Sequence, residues 1–251
     1  MRILYLCRQI VSRMKKILVI HAASLKERGE HIDKMLKGMG LDYEFIKDAD
    51  CDMLTDELLD RYVADGPERM HEKSGKASCT IKHFVACERV LEEGLEGALV
   101  LEDDIVLHKD FVKQFEACMT EYEAHYQQES ILISLEDSSL RFVPRSQRRK
   151  GQLLYDADKG RMAGAYYVNR HACQAIVDSL KEERCKIPID HYHNLLIKRG
   201  AIRCLWCQPA LATQGSFMGL FGSSLSKRSD RMIKRRWLFK KNYKKILYWF
   251  R

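Results

Sequence analysis

The stretch GALVLEDDIVL, residues 97–107, places three consecutive carboxylates directly after a predicted buried strand. Residues 98–101 are apolar and predict that strand, and Glu102, Asp103 and Asp104 follow it at once. In an open α/β sheet, ligands bind outside the carboxyl ends of the strands, so these acids mark a predicted binding edge. Adjacent carboxylates repel one another unless a cation compensates them, and hard divalent cations prefer such oxygen ligands. The alternative is that the acids cap the following loop or pair with lysine and arginine.

Strands and helices alternate along the chain on both sides of this stretch. The apolar patterns predict strands at residues 15–23, 41–50, 97–101, 130–137 and 201–211, and helices at 25–40, 55–63, 80–94, 109–126 and 187–199. Residues 164–180 begin as a predicted strand and continue as a helix, whereas 64–78 and 141–162 read as loops. This alternation predicts an α/β fold with a mostly parallel sheet.

The basic character of the chain is concentrated at its C-terminus. The net charge is +8, yet residues 227–251 hold eleven Lys or Arg and one acid, which leaves 32 basic and 34 acidic residues elsewhere. No apolar run approaches the ~18 to 20 residues of a membrane span, and the N-terminus lacks the pattern of a signal peptide. We therefore predict an extension at residues 1–14, a single domain at 15–226 and a basic tail at 227–251.

The tail carries apolar residues at helical spacing: Phe239, Tyr243, Ile246, Leu247 and Phe250. Its lysines fall largely on the other side, with Tyr248 out of place among them. This pattern predicts a basic amphipathic helix that lies on an anionic membrane surface. The alternative is a helix packed on the core through the apolar stripe, and no motif supports a nucleic-acid arm.

The nine cysteines are odd in number and irregularly spaced, which predicts free thiols in a reducing cytosol. Cys204 and Cys207 form a C-x-x-C that no second pair accompanies, so a zinc site there is weakly supported. Because residues three apart on a strand point to opposite faces, we interpret the two as ordinary thiols.

Three segments carry a resemblance to a known family: VIHAASLKERGEHIDKMLKGMGLDYEFIKDAD (19–50), SCTIKHFVACERVLEEGLEGALVLEDDIVL (78–107) and AGAYYVNRHACQAIV (163–177). They resemble the glycosyltransferase family 25 proteins, which are bacterial lipopolysaccharide and lipooligosaccharide galactosyltransferases and their collagen-modifying relatives. The resemblance runs from about residue 15 to about residue 214. It implies a single GT-A-like domain with a Rossmann-like sheet flanked by helices. Lys82 before His83 and Ser78 before the cysteine depart from the family pattern.

The resemblance also implies roles for individual residues. The family's acidic metal-binding motif maps onto the triplet, so Asp103 and Asp104 are expected to hold Mn²⁺ or Mg²⁺. Arg28, His83, Glu102 and Asp103 are expected to bind the nucleotide-sugar donor. The implied reaction is an inverting transfer of a sugar, galactose from UDP-galactose, to a saccharide acceptor of lipopolysaccharide or another cell-surface glycan.

An inverting transfer requires a base for the acceptor hydroxyl. Asp190 is our candidate, because it follows Pro188 at the predicted start of a helix, although Asp is also a favoured N-cap residue. Asp137 is the second candidate. His191 and His193 are better interpreted as surface or packed residues than as metal ligands.

Two other functions stay open at the level of the sequence. The Lys82 and Ser78 departures leave room for a non-catalytic, membrane-associated descendant, and the fold alone leaves room for a nucleotidyltransferase. The intact acidic triplet favours the enzyme. A lipid-linked acceptor and a basic tail together predict a cytoplasmic protein on the inner face of the cytoplasmic membrane.

Overall fold

The computed structural model describes residues 16–66, 69–221 and 230–250. The predicted extension at 1–14 lies outside these ranges, as do residues 227–229 and 251 of the tail. The strands are β1 Lys16–Ile20, β2 Glu44–Ile46, β3 Gly97–Glu102, β4 Ile105–Leu107, β5 Ile131–Ser134, β6 Leu154–Ala157, β7 Ala165–Asn169, β8 Arg203–Cys207 and β9 Ala212–Gln214.

Seven of these strands form one sheet in the order β2-β1-β3-β7-β5-β8-β6. Strands β1, β2 and β3 pair in parallel, as do β5 and β8. Only β7 and β6 are antiparallel to their neighbours, so five of the seven strands run in one direction. The predicted α/β class with a mostly parallel sheet is confirmed.

Helices cover both faces of this sheet. They are α1 Lys26–Gly38, α2 Asp56–Tyr62, α3 Gly75–Glu92, α4 Phe111–His125, α5 Arg170–Glu182, α6 Ile189–Lys198, α7 Gly215–Met218 and α8 Asp230–Trp249. Successive residues of β3 enter opposite cores: Ala98 and Val100 pack on one side, Leu99 and Leu101 on the other. A strand buried on both faces reads as a continuous apolar run, which is why residues 98–101 show no polar alternation.

Three short strands are absent from the predicted set. Strand β6 lies inside 141–162, which was predicted to be irregular, and β4 pairs antiparallel with β9 in a separate two-stranded ribbon. Each has three or four residues, too few to establish a period, and the partner of β4 lies about a hundred residues away.

Helix α3 begins five residues before its predicted start at 80. The Ser74 side chain accepts a hydrogen bond from the Ala77 amide at 3.2 Å and so caps the helix. Cys79 therefore lies within the helix. Because Cys79 and His83 are four residues apart, they share one helix face.

The C-terminal helix α8 contacts the body through one face. Trp237 is buried and donates its indole N–H to a backbone carbonyl in the loop after β5 at 3.1 Å. Lys241 lies 2.8 Å from a carboxylate oxygen of Asp137. Tyr248 meets Phe142 edge-on, with ring centroids 5.6 Å apart. The position of Tyr248 among the lysines is thereby explained, since this aromatic faces the body.

The predicted apolar stripe of α8 faces outward instead. Phe239, Tyr243, Ile246 and Phe250, which directly follows the helix, are exposed, with Phe250 at 83% and Phe239 at 76%, and Leu247 is half-buried. The alternative of a core-packed helix placed this stripe inward and is wrong on that point. Within the ranges described, none of the helices combines the length and apolarity needed to cross a bilayer.

Candidate functional site

Polar residues gather where β1, β3 and β5 end and β7 begins. His21 follows β1, Glu102 ends β3 and Glu136 follows β5. Only β7 separates β3 from β5, and its antiparallel direction brings Gly164, just before its start, to the same edge. Glu136 Oε1 accepts a hydrogen bond from the Gly164 amide at 2.6 Å. The two acidic strand ends therefore lie together, as the sheet order requires.

Asp103 is held by two basic side chains. His21 Nδ1 lies 2.9 Å from one of its carboxylate oxygens, and Arg28 Nη1 donates to the other at 3.3 Å. Arg28 reaches it from the first turn of α1, which packs beside β1. Since Asp103 is buried and each oxygen has a protein partner, its predicted role as a metal ligand stays a prediction.

Asp104 is buried and incompletely partnered. Its Oδ1 has no hydrogen-bond partner among the described residues. Burial, and then the charge of Glu102, raises the pKa of the Asp104 carboxyl to about 6. Its backbone oxygen accepts from the Gly215 amide at 2.6 Å, and a Cβ at Gly215 would come within 2.7 Å of that oxygen. A glycine is thus required at the start of α7, where the chain approaches the backbone of Asp104.

Glu102 lies between α3 and β9. Gln214 Nε2 donates to its Oε2 at 3.2 Å, while Oε1 faces Cys79 Sγ at 3.7 Å. Its side chain retains 23% exposure. Burial, followed by the charge of Asp103, raises the pKa of Glu102 to about 7. Negative charge is thus disfavoured at both Glu102 and Asp104, and a cation near either carboxylate would be stabilising.

His83 lies fully buried behind Glu102. Its Nδ1 is 2.8 Å from the Tyr166 hydroxyl, and its Nε2 is 3.6 Å from Glu102 Oε1. Burial lowers the pKa of His83 to about 3, so the ring is neutral at pH 7. Because no part of the ring is exposed, the structure offers no direct route from His83 to a bound donor, and that role stays a prediction.

The Lys82 departure from the family pattern forms a buried ion pair. Lys82 is 1% exposed and contacts the Asp50 carboxylate as well as the His21 carbonyl oxygen, the latter at 2.6 Å. The Ala23 amide donates to the other Asp50 oxygen at 2.9 Å. The ammonium therefore braces the loop after β1, which carries His21 to the site.

Asp190, the candidate base, lies near the triplet. It is the second residue of α6, and Pro188 occupies the N-cap position, so the N-cap alternative for Asp190 is wrong. Asp190 is partly exposed, and its charge acts on both His83 and Glu102. No hydrogen bond joins its side chain to another described residue.

Asp137, the second candidate, is engaged by the protein. It is buried and accepts from the Thr213 hydroxyl at 2.7 Å, and its other oxygen meets Lys241 of α8. His191 is exposed, and His193 is buried with its ring edge-on to Tyr166. The expectation that both histidines are surface or packed residues agrees with these positions.

Two site residues were not identified from the sequence. His21 contacts Asp103, and Gln214 contacts Glu102. His21 follows a buried strand directly, which is the same signal that marked Glu102. Gln214 ends a three-residue strand that showed no local pattern, so its position depended on the pairing of β9 with β4.

Cys204 and Cys207 confirm the strand argument. Cys204 packs in the core on one face of the sheet and Cys207 in the core on the other. They cannot share an ion. Cys207 Sγ instead lies 2.9 Å from Cys118 Sγ of α4.

Comparison with known proteins places the chain within a family. The model described as "Glycosyltransferase family 25 (LPS biosynthesis protein)" matches residues 14–193. A curated relative, the lacto-N-neotetraose biosynthesis glycosyltransferase LgtE of Neisseria meningitidis serogroup B, is 33% identical over 119 residues. That match covers 46% of this chain and 41% of the relative, so less than half of the relative's length is matched.

Two solved structures are similar in outline. A glycosyltransferase involved in glycosylation of the major capsid of PBCV-1 covers 90% of this chain and 99% of its own, at 9% identity and a TM-score of 0.45. The glycosyltransferase GlyE of Streptococcus pneumoniae TIGR4 covers 90% of this chain and 64% of its own, at 10% identity and the same TM-score. These values are too low to assign an activity.

Proposed function

Because the chain belongs to glycosyltransferase family 25, we propose that it transfers a sugar from a nucleotide-sugar donor to a saccharide acceptor of lipopolysaccharide or another cell-surface glycan. The observation that carries the proposal is the carboxylate cluster of Glu102, Asp103 and Asp104 at the ligand-binding edge of the sheet. We take UDP-galactose as the donor and inversion as the stereochemical course, in line with the family resemblance.

A divalent cation, Mn²⁺ or Mg²⁺, fits the residues at this edge. Asp104 presents a buried oxygen without a partner among the described residues, and its raised pKa marks a place where positive charge would be stabilising. Hard cations take such carboxylate oxygens as ligands. When bound, the ion supplies positive charge for the departing nucleoside diphosphate. Arg28, positioned by Asp103, adds a second positive charge beside it.

Asp190 is the base that we propose for the acceptor hydroxyl. Asp190 is partly exposed, and its negative charge lies close enough to Glu102 to raise the pKa of that carboxyl. It is not hydrogen-bonded to any described residue and so can accept a proton. Asp137 is less suited, because Thr213 and Lys241 already occupy its two oxygens.

The tail supports a lipid-linked acceptor at an anionic membrane surface. Phe239, Tyr243 and Ile246 of α8 and Phe250 directly after it are exposed, and Lys240 of the same helix is exposed as well. An exposed aromatic stripe with lysines beside it is typical of an interfacial helix. We therefore propose that the protein acts at the inner face of the cytoplasmic membrane, held there peripherally.

Donor binding tests the proposed activity directly. UDP-galactose is titrated by calorimetry, and its slow hydrolysis is followed, with Mn²⁺ and with chelator, in the wild type and in Asp104→Asn. We expect binding and hydrolysis to require the ion and to be lost in the variant. Asp42→Asn, at an exposed residue away from the edge, is the matched control. If UDP-galactose binds with equal affinity in chelator and in Asp104→Asn, the metal-dependent activity is overturned. If UDP-galactose does not bind, a screen of UDP-, GDP- and CMP-sugars identifies the donor.

A further inference from the structure

We propose that Cys79, His83 and Glu102 form a binding site for a thiophilic divalent ion, best matched by Zn²⁺, separate from the hard-cation site at Asp104. Cys79 and His83 lie one turn apart on α3, and Glu102 ends the neighbouring strand β3. The sulfur, imidazole nitrogen and carboxylate oxygen of these residues all lie within 4.8 Å of one another. This inference does not depend on the proposed sugar transfer.

The distances fit a tetrahedral ion. Glu102 Oε1 is 3.7 Å from Cys79 Sγ and 3.6 Å from His83 Nε2. Zinc ligands lie at ~2.3 Å for sulfur and ~2.0 to 2.1 Å for nitrogen or oxygen, which separates neighbouring ligands by about 3.3–3.6 Å. The nitrogen–oxygen separation is too long for a hydrogen bond. Glu102 Oε1 therefore lies at a ligand-to-ligand spacing from both the sulfur and the nitrogen, and its contact with the Cys79 thiol is a long hydrogen bond that an ion would replace.

The ligand atoms are also aimed and supported. His83 Nε2 is buried and has no hydrogen-bond partner among the described residues, although the ring is fully enclosed. The Tyr166 hydroxyl holds the other ring nitrogen at 2.8 Å, and Gln214 holds the other oxygen of Glu102 at 3.2 Å. Outer contacts of this kind orient the ligands of metal sites. An ion at this position would satisfy the His83 ring nitrogen that none of the described residues contacts through a hydrogen bond.

The donor set selects the kind of ion. A thiolate with an imidazole and a carboxylate suits Zn²⁺, whereas Mg²⁺ and Ca²⁺ prefer oxygen ligands throughout. Binding would release the Cys79 thiol proton to solvent, since the thiolate is the ligand. Three protein ligands leave a fourth position for water. The ion would tie α3 to the end of β3 and so fix the first carboxylate of the acidic triplet.

Cobalt absorption tests this site without any measurement of activity. The metal-stripped full chain is titrated with Co²⁺, which replaces Zn²⁺ and reports thiolate ligation through a charge-transfer band in the near ultraviolet. We expect one equivalent to produce the band, Zn²⁺ to displace it and Cys79→Ser to remove it. Tyr166→Phe should keep the band and weaken Zn²⁺ binding by about 10–100-fold, as loss of an outer contact does.

Two matched controls separate this site from its surroundings. Cys51→Ser removes an exposed thiol outside the cluster and should leave the band unchanged. Asp104→Asn should leave it unchanged too, because Asp104 belongs to the hard-cation site. Circular dichroism establishes whether each variant is folded. If Cys79→Ser does not fold, the Zn²⁺ affinity of Tyr166→Phe tests the site instead. Absence of the band in the wild type, or its persistence in folded Cys79→Ser, would overturn the zinc site whether or not the chain transfers sugar.

Discussion

Replacing Glu136 with glutamine should stabilise the protein at neutral pH. Glu136 is fully buried, and its Oε1 accepts from the Gly164 and Ala165 amides, at 2.6 and 3.3 Å. Its Oε2 has no partner among the described residues. Burial is the main cause that raises the pKa of Glu136 from 4.5 to about 8. A glutamine keeps the acceptor oxygen for both amides and removes the ionisable group.

The sign and size of the effect follow from the two pKa values. As the pH rises above 4.5, the unfolded chain releases the proton while the folded chain retains it, so the free energy of unfolding falls until the pH passes about 8. Each pH unit in this window costs about 1.4 kcal/mol. The cost is about 3 kcal/mol at pH 7 and approaches about 5 kcal/mol above pH 8. Glu136→Gln is not subject to this cost.

Urea unfolding at pH 5.5, 6.5, 7.5 and 8.5 measures this difference. The stability of the variant relative to the wild type should grow by about 1.4 kcal/mol per pH unit up to pH 7.5 and then level off. Glu121→Gln is the matched control, because Glu121 also accepts from two backbone amides, those of Leu153 and Leu154, but is reached by solvent. Parallel pH curves for the wild type and Glu136→Gln would refute the reasoning.

Three further predictions concern the base, the buried lysine and the tail. Asp190→Asn should lower sugar transfer by ~10² or more while donor affinity is kept, and a wild-type rate in a steady-state assay would exclude it as the base. Lys82→Met should lower the free energy of unfolding by about 3–5 kcal/mol in urea, because its carboxylate partner is left buried and unpaired; an unchanged midpoint would contradict this. Replacing Phe239 and Ile246 together by Ser should release the protein from anionic vesicles in sedimentation without a change in melting temperature. Trp237→Ser should instead lower the melting temperature. A lower melting temperature in the double variant, with no change in Trp237→Ser, would show that the outward stripe is structural.

The family match and the chemistry of the triplet were accessible from the sequence, but the roles of the individual residues were not. Asp103, for example, was predicted to hold a metal ion, and the structure surrounds its two oxygens with His21 and Arg28. Its neighbour Asp104 has the oxygen without a partner. Local spacing treats adjacent acids alike, whereas the loop conformation turns each side chain toward different partners.

The sequence by itself determined the central strand, the alternation of strands and helices, and the opposite facing of Cys204 and Cys207. These features depend on periodicity within one element, and side-chain direction along a strand or helix follows from backbone geometry alone. The burial of residues 98–101 on both faces is read from the same kind of pattern.

Only the tertiary structure decided which groups from distant elements meet. Lys82 pairs with Asp50, and Cys79 and His83 on α3 lie against Glu102 at the end of β3. The face of α8 that contacts the body also depends on distant partners. Lys241 pairs with Asp137, and Trp237 donates a hydrogen bond to the next residue of the loop after β5. These contacts depend on the order of strands in the sheet and on pairings between strands about a hundred residues apart. A local sequence pattern encodes neither of these features.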